Sequence, residues 1–476
     1  TARSTYAITY ASLFAASNAA DANTGDTLRF RVESTHNGTL TKNGVAITSG
    51  VTTLGPGETF IWTSAAGASG TTGAFTVRAY DGTVASASAI TVNIGVTAIA
   101  AASAAVGSNV NISSNANGLV TVITRNDAGQ TILLQQTSAN GSWVRINLTS
   151  AGVPAVTGGT VTFVDPATGM THAAVVTASG LYLLSDTGTG IWTSRNLTTE
   201  ISGSPMIVGD LAKFTTTNGL NVITGHTASG DVVIYNQTGA VNGQGRGVWT
   251  ATNIYAQLRN QSESTPAFTT PLSSYVTSWN GLNIAGLDSS GNIWTIWTGG
   301  GLSGWHSTNL SAVTGAPTLV GGVTAYTTSW GGINLAGVDV NGDLSVTWWV
   351  PSFGGNWVNQ NFTSDFGGPS IQAGSLTSYV TSWNAMNIAG LDTTGNIVQY
   401  WWVPPSSPDQ DYWRVTPITE SMNSNLRRPN AGKLTGLATA DSRMNLIGSN
   451  SDGHIVRLWW SPTHNWSLED LTVLVS

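Results

Sequence analysis

The stretch WHSTNLS at residues 305–311 decides the fold, because it returns six more times along the chain. The other copies are WVRINLT from Trp143, WTSRNLT from Trp192, WTATNIY from Trp249, WVNQNFT from Trp357, WRVTPIT from Trp413 and WSLEDLT from Trp466. Each runs Trp, three variable residues, a polar residue or Pro, an apolar residue, then Ser, Thr or Tyr. Successive Trp are 49 to 57 residues apart.

A second column lies upstream of each copy: Gly129, Gly180, Gly230, Gly291, Gly342, Gly395 and Gly453. These glycines close turns such as DSSGN (288–292), DVNGD (339–343) and DTTGN (392–396), flanked by apolar runs such as NIAGL and IWTIW. Gly tolerates the positive φ that a short hairpin loop demands. Each unit therefore holds a hairpin, a strand before it (YVTSW at 275–279 and 379–383, YTTSW at 326–330) and the Trp segment as a strand after it. Four strands at this period make a propeller blade. A linear row of separate hairpin domains would also repeat, but two matching columns fit closure into a ring better. The expected fold is all-β: an N-terminal β-sandwich plus a seven-bladed β-propeller of four-stranded blades. The expected domains are a sandwich over 1–96, an Ala-rich linker over 97–108 and the propeller over 109–476. In the ring, the repeated Trp can fill the gap between neighbouring blades.

The sandwich expectation rests on LRFRV (28–32), GTLTKNGVAI (38–47), ETFIWT (58–63), FTVRAYDG (75–82) and AITVNI (89–94). These are short β-type runs, and Lys42-Asn43-Gly44 is a hairpin corner. Helical periodicity is nearly absent from the whole chain.

Of 476 residues, 9% are charged, against roughly 25% in an average globular protein. Nineteen Trp supply enough burial to exclude a disordered chain. There is no Cys, so disulfides, thiolate chemistry and Cys-bound metals are excluded. With three Lys and a net charge of −7, the chain has no basic surface for nucleic acid, and no apolar run approaches a membrane span. A Ser-, Thr- and Asn-rich surface suits an extracellular or bacterial cell-surface protein. The chain opens on Thr1 without a signal peptide, as expected of a processed chain or a piece of a longer surface protein.

Two segments resemble known families. Residues 10–95 are similar to the cadherin-like, immunoglobulin-like repeats of very large bacterial surface proteins, whose role is that of a spacer. GLNIAGLDSSGNIWTIWTGGGLSGWHSTNLS (281–311) resembles the Trp-rich propeller lectins related to tectonins and to the Photorhabdus fucose-binding lectin, through Asp288, Gly291, Trp294, Trp297, Gly304 and Trp305. Later units replace Trp294 by Ser345, Val398 and Val456, and the first three units match weakly. The resemblance implies sugar binding in clefts between blades.

Trp is unevenly spread: the last four units hold fifteen, the first three one each. Six residues after the hairpin Gly, the first three units carry Gln135, Asp186 and Asn236, where the last four carry Trp297, Trp348, Trp401 and Trp459. Sugar recognition needs an aromatic face for the C–H side of the ring and polar groups for the hydroxyls. The candidate carbohydrate-binding residues are Trp294, Trp297, Trp348, Trp349, Trp401, Trp402, Trp459 and Trp460. The competing reading makes them packing between blades. Adjacent Trp such as Trp348 and Trp349 must point to opposite faces of one strand, so only one of each pair packs on a given side.

Calcium is a possible cofactor of the N-terminal unit. Asp21, Asn23 and Asp26 in DANTGD are similar to the acidic loop of cadherin-like domains, with Asp81 as a further ligand for an ion that takes about six to eight oxygens. The acidic hairpin turns of the repeat read instead as Asx turns. No enzyme is expected: arginines fall in no repeated column, the turns miss the sialidase Asp-box by one residue, and the six His share no metal-ligand spacing. Two functions remain: an adhesion module that binds glycans between blades 4 and 7, or a structural unit of a surface layer, fibre or appendage, contacting neighbouring surface proteins.

Overall fold

In the computed structural model, WHSTNLS is the end of an outer strand (Leu302–Asn309) and the start of a short helix (Leu310–Thr314). The residues described are 5–20, 26–65, 70–96, 110–126, 129–138, 141–165, 169–186, 191–243, 246–299, 301–405, 412–420, 422 and 428–475.

Each fixed position of the motif has a task. Trp305 is buried in a core shared with the preceding unit, alongside Phe214 and Ile234. The Asn309 side chain caps the helix, its Oδ1 accepting the Ala312 N–H at 2.9 Å. Leu310 is fully buried. The Ser311 hydroxyl turns back to accept the Ile293 N–H at 2.9 Å, tying the helix to the start of the third strand. Caps recur at Asn196, Asn253, Asn361 and Asp470. The returning hydroxyl recurs at Thr198, Thr363, Thr419 and Thr472, each accepting from the first residues of its third strand at 2.8–3.0 Å. Ser, Thr, Asn and Asp suit these places because their short side chains satisfy backbone donors that a helix start leaves orphaned. The Asn-x-Ser/Thr pattern at Asn196, Asn309 and Asn361 is thus a cap followed by a tie. These helices have four to seven residues, too short to show a 3.6-residue period, which is why the sequence hid them.

The described residues form nine four-stranded sheets. Seven follow one another in the repeat region, each an antiparallel meander in chain order; they are numbered 1 to 7 here, over 111–147, 156–196, 208–253, 273–309, 319–361, 377–417 and 431–470. The inner strand of each touches the inner strand of the next, and that of sheet 7 touches that of sheet 1. Hydrophobic cores lie between successive sheets: Ile112, Trp143 and Val122 pack with Ile447 and Ile455 across the closure. All seven repeated Trp sit in such cores. Radial meander sheets in a closed ring are a β-propeller.

The hairpin turns behave as Asx turns. Asp288 Oδ1 accepts from Ser290 N and Asn292 N at 2.9 Å, and Asp392 Oδ1 from Thr394 N and Asn396 N at 2.8 Å. YVTSW divides: Ser273–Val276 is strand, and Thr277 to Gly281 is the turn into the second strand, closed by Thr277 N–H to Gly281 O.

The remaining two sheets lie in the first 96 residues. One has the order Thr5–Thr9, Thr59–Ser64, Gly38–Lys42, Val45–Ala46; the other Thr53–Leu54, Arg29–Thr35, Gly70–Tyr80, Ile90–Val96. They share one core of Phe60, Trp62 and Leu40 from the first with Phe30, Val32 and Phe75 from the second. The Asn43-Gly44 corner has φ of 50° and 81°, the two positive values a type I′ hairpin requires. A helix absent from the sequence reading, Tyr10–Ala16, is capped by Thr9. The expected 97–108 linker lies outside the described residues.

Candidate functional site

The paired Trp diverge across their strand. Trp349 packs into the core between sheets 4 and 5, and Trp348 into that between sheets 5 and 6. Each gap from sheet 4 onward therefore receives Trp from both sides. Between sheets 4 and 5 lies a cleft of about 520 Å³ lined by Trp279, Trp297, Trp349 and Trp357. Trp279, in the turn after the inner strand, is 43% exposed and meets Trp349 edge-on, with ring centroids 5.6 Å apart. Trp297 donates its Nε1–H to Thr308 Oγ1 at 3.0 Å, and Trp349 donates to Gly355 O at 2.6 Å. Their indole nitrogens are thereby fixed, and rigid faces are left toward the cleft.

The polar lining is small. Thr277, Asn283 and Thr295 form it with Thr298 and Thr308. Asn283 donates to Gly281 O at 3.0 Å. Thr295, 3% exposed, has its hydroxyl beside that of Tyr275, and among the described residues neither has a hydrogen-bond partner. Burial pushes the Tyr275 phenol pKa up, so it stays protonated across the ordinary pH range. A buried hydroxyl without a partner costs about 1–3 kcal/mol, which a ligand hydroxyl can recover.

The arrangement repeats. Trp330 meets Trp402 at 5.7 Å between sheets 5 and 6, with Trp348 and Trp413 in the same core. Trp383 meets Trp460 at 6.1 Å between sheets 6 and 7, with Trp466 in that core; Trp401, opposite Trp402 on its strand, faces the same way. Trp279, Trp330 and Trp383 were not among the candidates read from sequence. Their signal was available: each follows Thr-Ser at the same place in its unit.

Two expected residues fall elsewhere. Trp294 points to the other face, into the core between sheets 3 and 4, and donates to Asp288 Oδ2 at 2.9 Å. Trp459, opposite Trp460, faces sheet 1, where Glu469 Oε1 accepts its Nε1–H at 3.1 Å and Arg457 lies over both it and Trp143. That gap is filled by arginine: Arg443 pairs with Asp441 at 2.7 Å and donates to Gly118 O at 2.9 Å. The Trp column also needs one adjustment. Trp192 pairs with Asp186 as Trp357 pairs with Trp349, so Ser185, not Asp186, stands where Trp348 does. The cause is a shorter hairpin in sheet 2, where Thr177 pairs directly with Gly180.

The gap between sheets 2 and 3 is a larger cleft, about 750 Å³, of different chemistry. His172 Nδ1 lies 2.8 Å from Ser185 Oγ, Gln237 donates to Asp165 Oδ2 at 3.3 Å, and Arg195 donates to Gly247 O at 2.6 Å. Burial lowers the His172 pKa against the charge of Asp165. Its polar groups serve one another.

For calcium, Asp21 and Asn23 lie outside the described residues, and Asp26 is exposed. Asp81 closes its own turn: Oδ1 accepts from Val84 N and Thr83 N at 2.7 Å, and these bonds hold its carboxyl below its usual range. Among the described residues no three His, Asp or Glu converge on a metal position, and no helix is long and apolar enough to cross a membrane.

This geometry defines a β-propeller with aromatic clefts between its sheets. No protein-family model and no curated protein sequence matches the chain. Among solved structures it is similar to the BP39L lectin of Burkholderia pseudomallei, at 15% identity over 76% of this chain and 98% of that one, with a TM-score of 0.56. AofleA of Arthrobotrys oligospora shares 10% identity over 78% of this chain and 88% of that one (TM-score 0.47). The Aleuria aurantia lectin, described as a six-bladed β-propeller with a novel fucose recognition mode, shares 10% over 76% and 95% (TM-score 0.42). At such identity the likeness to BP39L concerns the fold alone, and the other two are too distant to carry an argument.

Proposed function

We propose that this chain is a non-enzymatic, lectin-like module that binds glycans in the clefts between sheets 4 and 5, 5 and 6, and 6 and 7. The observation that carries the reading is the cleft between sheets 4 and 5. Four Trp, one of them the partly exposed turn residue Trp279, line a space of about 520 Å³, with an unpartnered hydroxyl at Thr295. That volume falls in the range of small-ligand pockets, about 300–1,000 Å³. Indole faces suit the C–H side of a pyranose, and Thr and Asn suit its hydroxyls. Among the described residues no charged side chain lines the cleft, which favours a neutral sugar over an acidic one.

The seven sheets are read as seven blades over 109–476, and the two sheets of 1–96 as a cadherin-like β-sandwich, a spacer that holds the propeller away from a bacterial surface. Extracellular location, adhesion and a calcium site at Asp21, Asn23, Asp26 and Asp81 belong to this same reading. The rival is a structural unit of a surface layer or appendage, and Trp279 and Trp330, 43% and 41% exposed, would then be contact residues toward a neighbouring protein.

A glycan array, with intrinsic Trp fluorescence titration of each hit, separates the two. Saturable binding lost on Trp349→Ala supports the lectin. An empty array from folded protein, with concentration-dependent self-assembly weakened by Trp279→Ala, supports the structural unit.

A further inference from the structure

The inner strands end at the turns that carry Trp in sheets 4 to 6. At their opposite, starting ends they surround a second cavity of about 450 Å³ on the axis of the ring. Seven of its fifteen lining residues are glycines, six of them at irregular pairings in the inner strands of sheets 2, 3, 5 and 7. The glycines let neighbouring strands meet backbone to backbone: a Cβ on Gly321 would collide with the Gly374 amide. Side chains are therefore few in this wall, and the charged ones set its character.

They are Arg125 from sheet 1, Lys433 from sheet 7 and Asp210 from sheet 3. The chain is acidic overall, yet this cavity carries two cations against one anion. Among the described residues, neither Arg125 nor Lys433 has a hydrogen bond or an ion pair within 4 Å from its side chain. Thr160, 5% exposed, also lines the cavity, and its hydroxyl has no hydrogen-bond partner. The propeller's other lysine, Lys213, likewise sits on an inner strand. Burial lowers the pKa of both lysines, with Asp210 opposing the fall at Lys433. Half-buried ammonium groups without an ion pair are partly desolvated in the empty protein and gain once an anion arrives. Concave walls of low dielectric strengthen the attraction.

We propose that this mouth of the axial channel is an anion site, taking a small ligand through a carboxylate, phosphate or sulfate group held by Arg125 and Lys433. It lies at the other end of the inner strands from the aromatic clefts and does not depend on sugar binding. Asp210 limits the site's excess charge.

The test is calorimetric titration of the full chain with sodium sulfate, inorganic phosphate and citrate. Sodium chloride keeps the ionic strength equal, since sulfate and phosphate stabilise most proteins nonspecifically. One oxyanion is expected to bind saturably at one site per chain, and the strongest of the three names the ligand group. Lys433→Met and Arg125→Gln should each weaken it about tenfold or more, while Trp349→Ala leaves it unchanged. Without anion, Lys433→Met should melt no lower than wild type, because it removes a half-buried charge that has no ion pair within 4 Å. Should Lys433→Met fail to fold, Arg125→Gln decides the matter. The proposal is overturned if none of the three binds beyond chloride, or if the variants bind as wild type does.

Discussion

Sheets 1 to 3 and sheets 4 to 7 share one scaffold and differ in what they place between the sheets. The first Trp and the buried apolar residue after the outer strand recur from Trp143 to Leu471, and a capped helix follows the outer strand in sheets 2, 3, 4, 5 and 7. Those residues answer to the ring, which needs each gap closed at its rim. The turn Trp occurs only in sheets 4 to 6, and the adjacent Trp pair only in sheets 5 to 7. In their places the first sheets carry Ser185, Asn218 and Gln237, and the polar groups around that cleft bond mostly to one another. A ring can therefore close without the second set of Trp. What they add is aromatic surface left uncovered in a cleft, and this separates binding from packing more sharply than any single residue does.

The comparison can be broken at four depths. Leu310→Ala strikes the shared scaffold; it should cost about 2–5 kcal/mol by cavity formation, read from denaturant midpoints. Trp349→Ala strikes only the cleft. It should weaken sugar binding by about 2 kcal/mol, near thirtyfold, as central aromatic anchors do, with a smaller loss of stability. Asn309→Ala removes a cap and should cost about 1 kcal/mol, with the same loss expected at Asn253 in the unit that has no paired Trp. Thr295→Val removes the unpartnered hydroxyl. Its melting temperature should hold or rise slightly, while titration shows weaker binding of the sugar. A Thr295→Val protein that melts well below wild type would mean the hydroxyl is already satisfied.

Much of this architecture could be read from the chain. The two columns set the hairpins and the order of strands, and strand alternation sent Trp348 and Trp349 to opposite gaps. Less visible were features set by one residue more or less. A shorter hairpin moved Asp186 out of the Trp column and brought Ser185 into it. Trp294, three residues before Trp297, fell on the opposite face of the strand and so left the cleft. Trp279, Trp330 and Trp383 were hidden because YVTSW looks like continuous strand. Thr277 folds it into a turn by accepting the Gly281 N–H through its hydroxyl at 2.8 Å. The axial cavity had no linear signature at all, since Arg125 and Lys433 lie far apart in sequence and meet only where the ring closes.

The most direct test of the central claim, that the uncovered Trp are a sugar-binding surface, is glycan binding by the variant Trp349→Ala/Trp402→Ala/Trp460→Ala. It removes one Trp from each of the three clefts and leaves the rim Trp intact. The account predicts that wild type binds at least one neutral glycan saturably and that the folded triple variant binds none. Undiminished binding by the triple variant, or none by folded wild type, would contradict it.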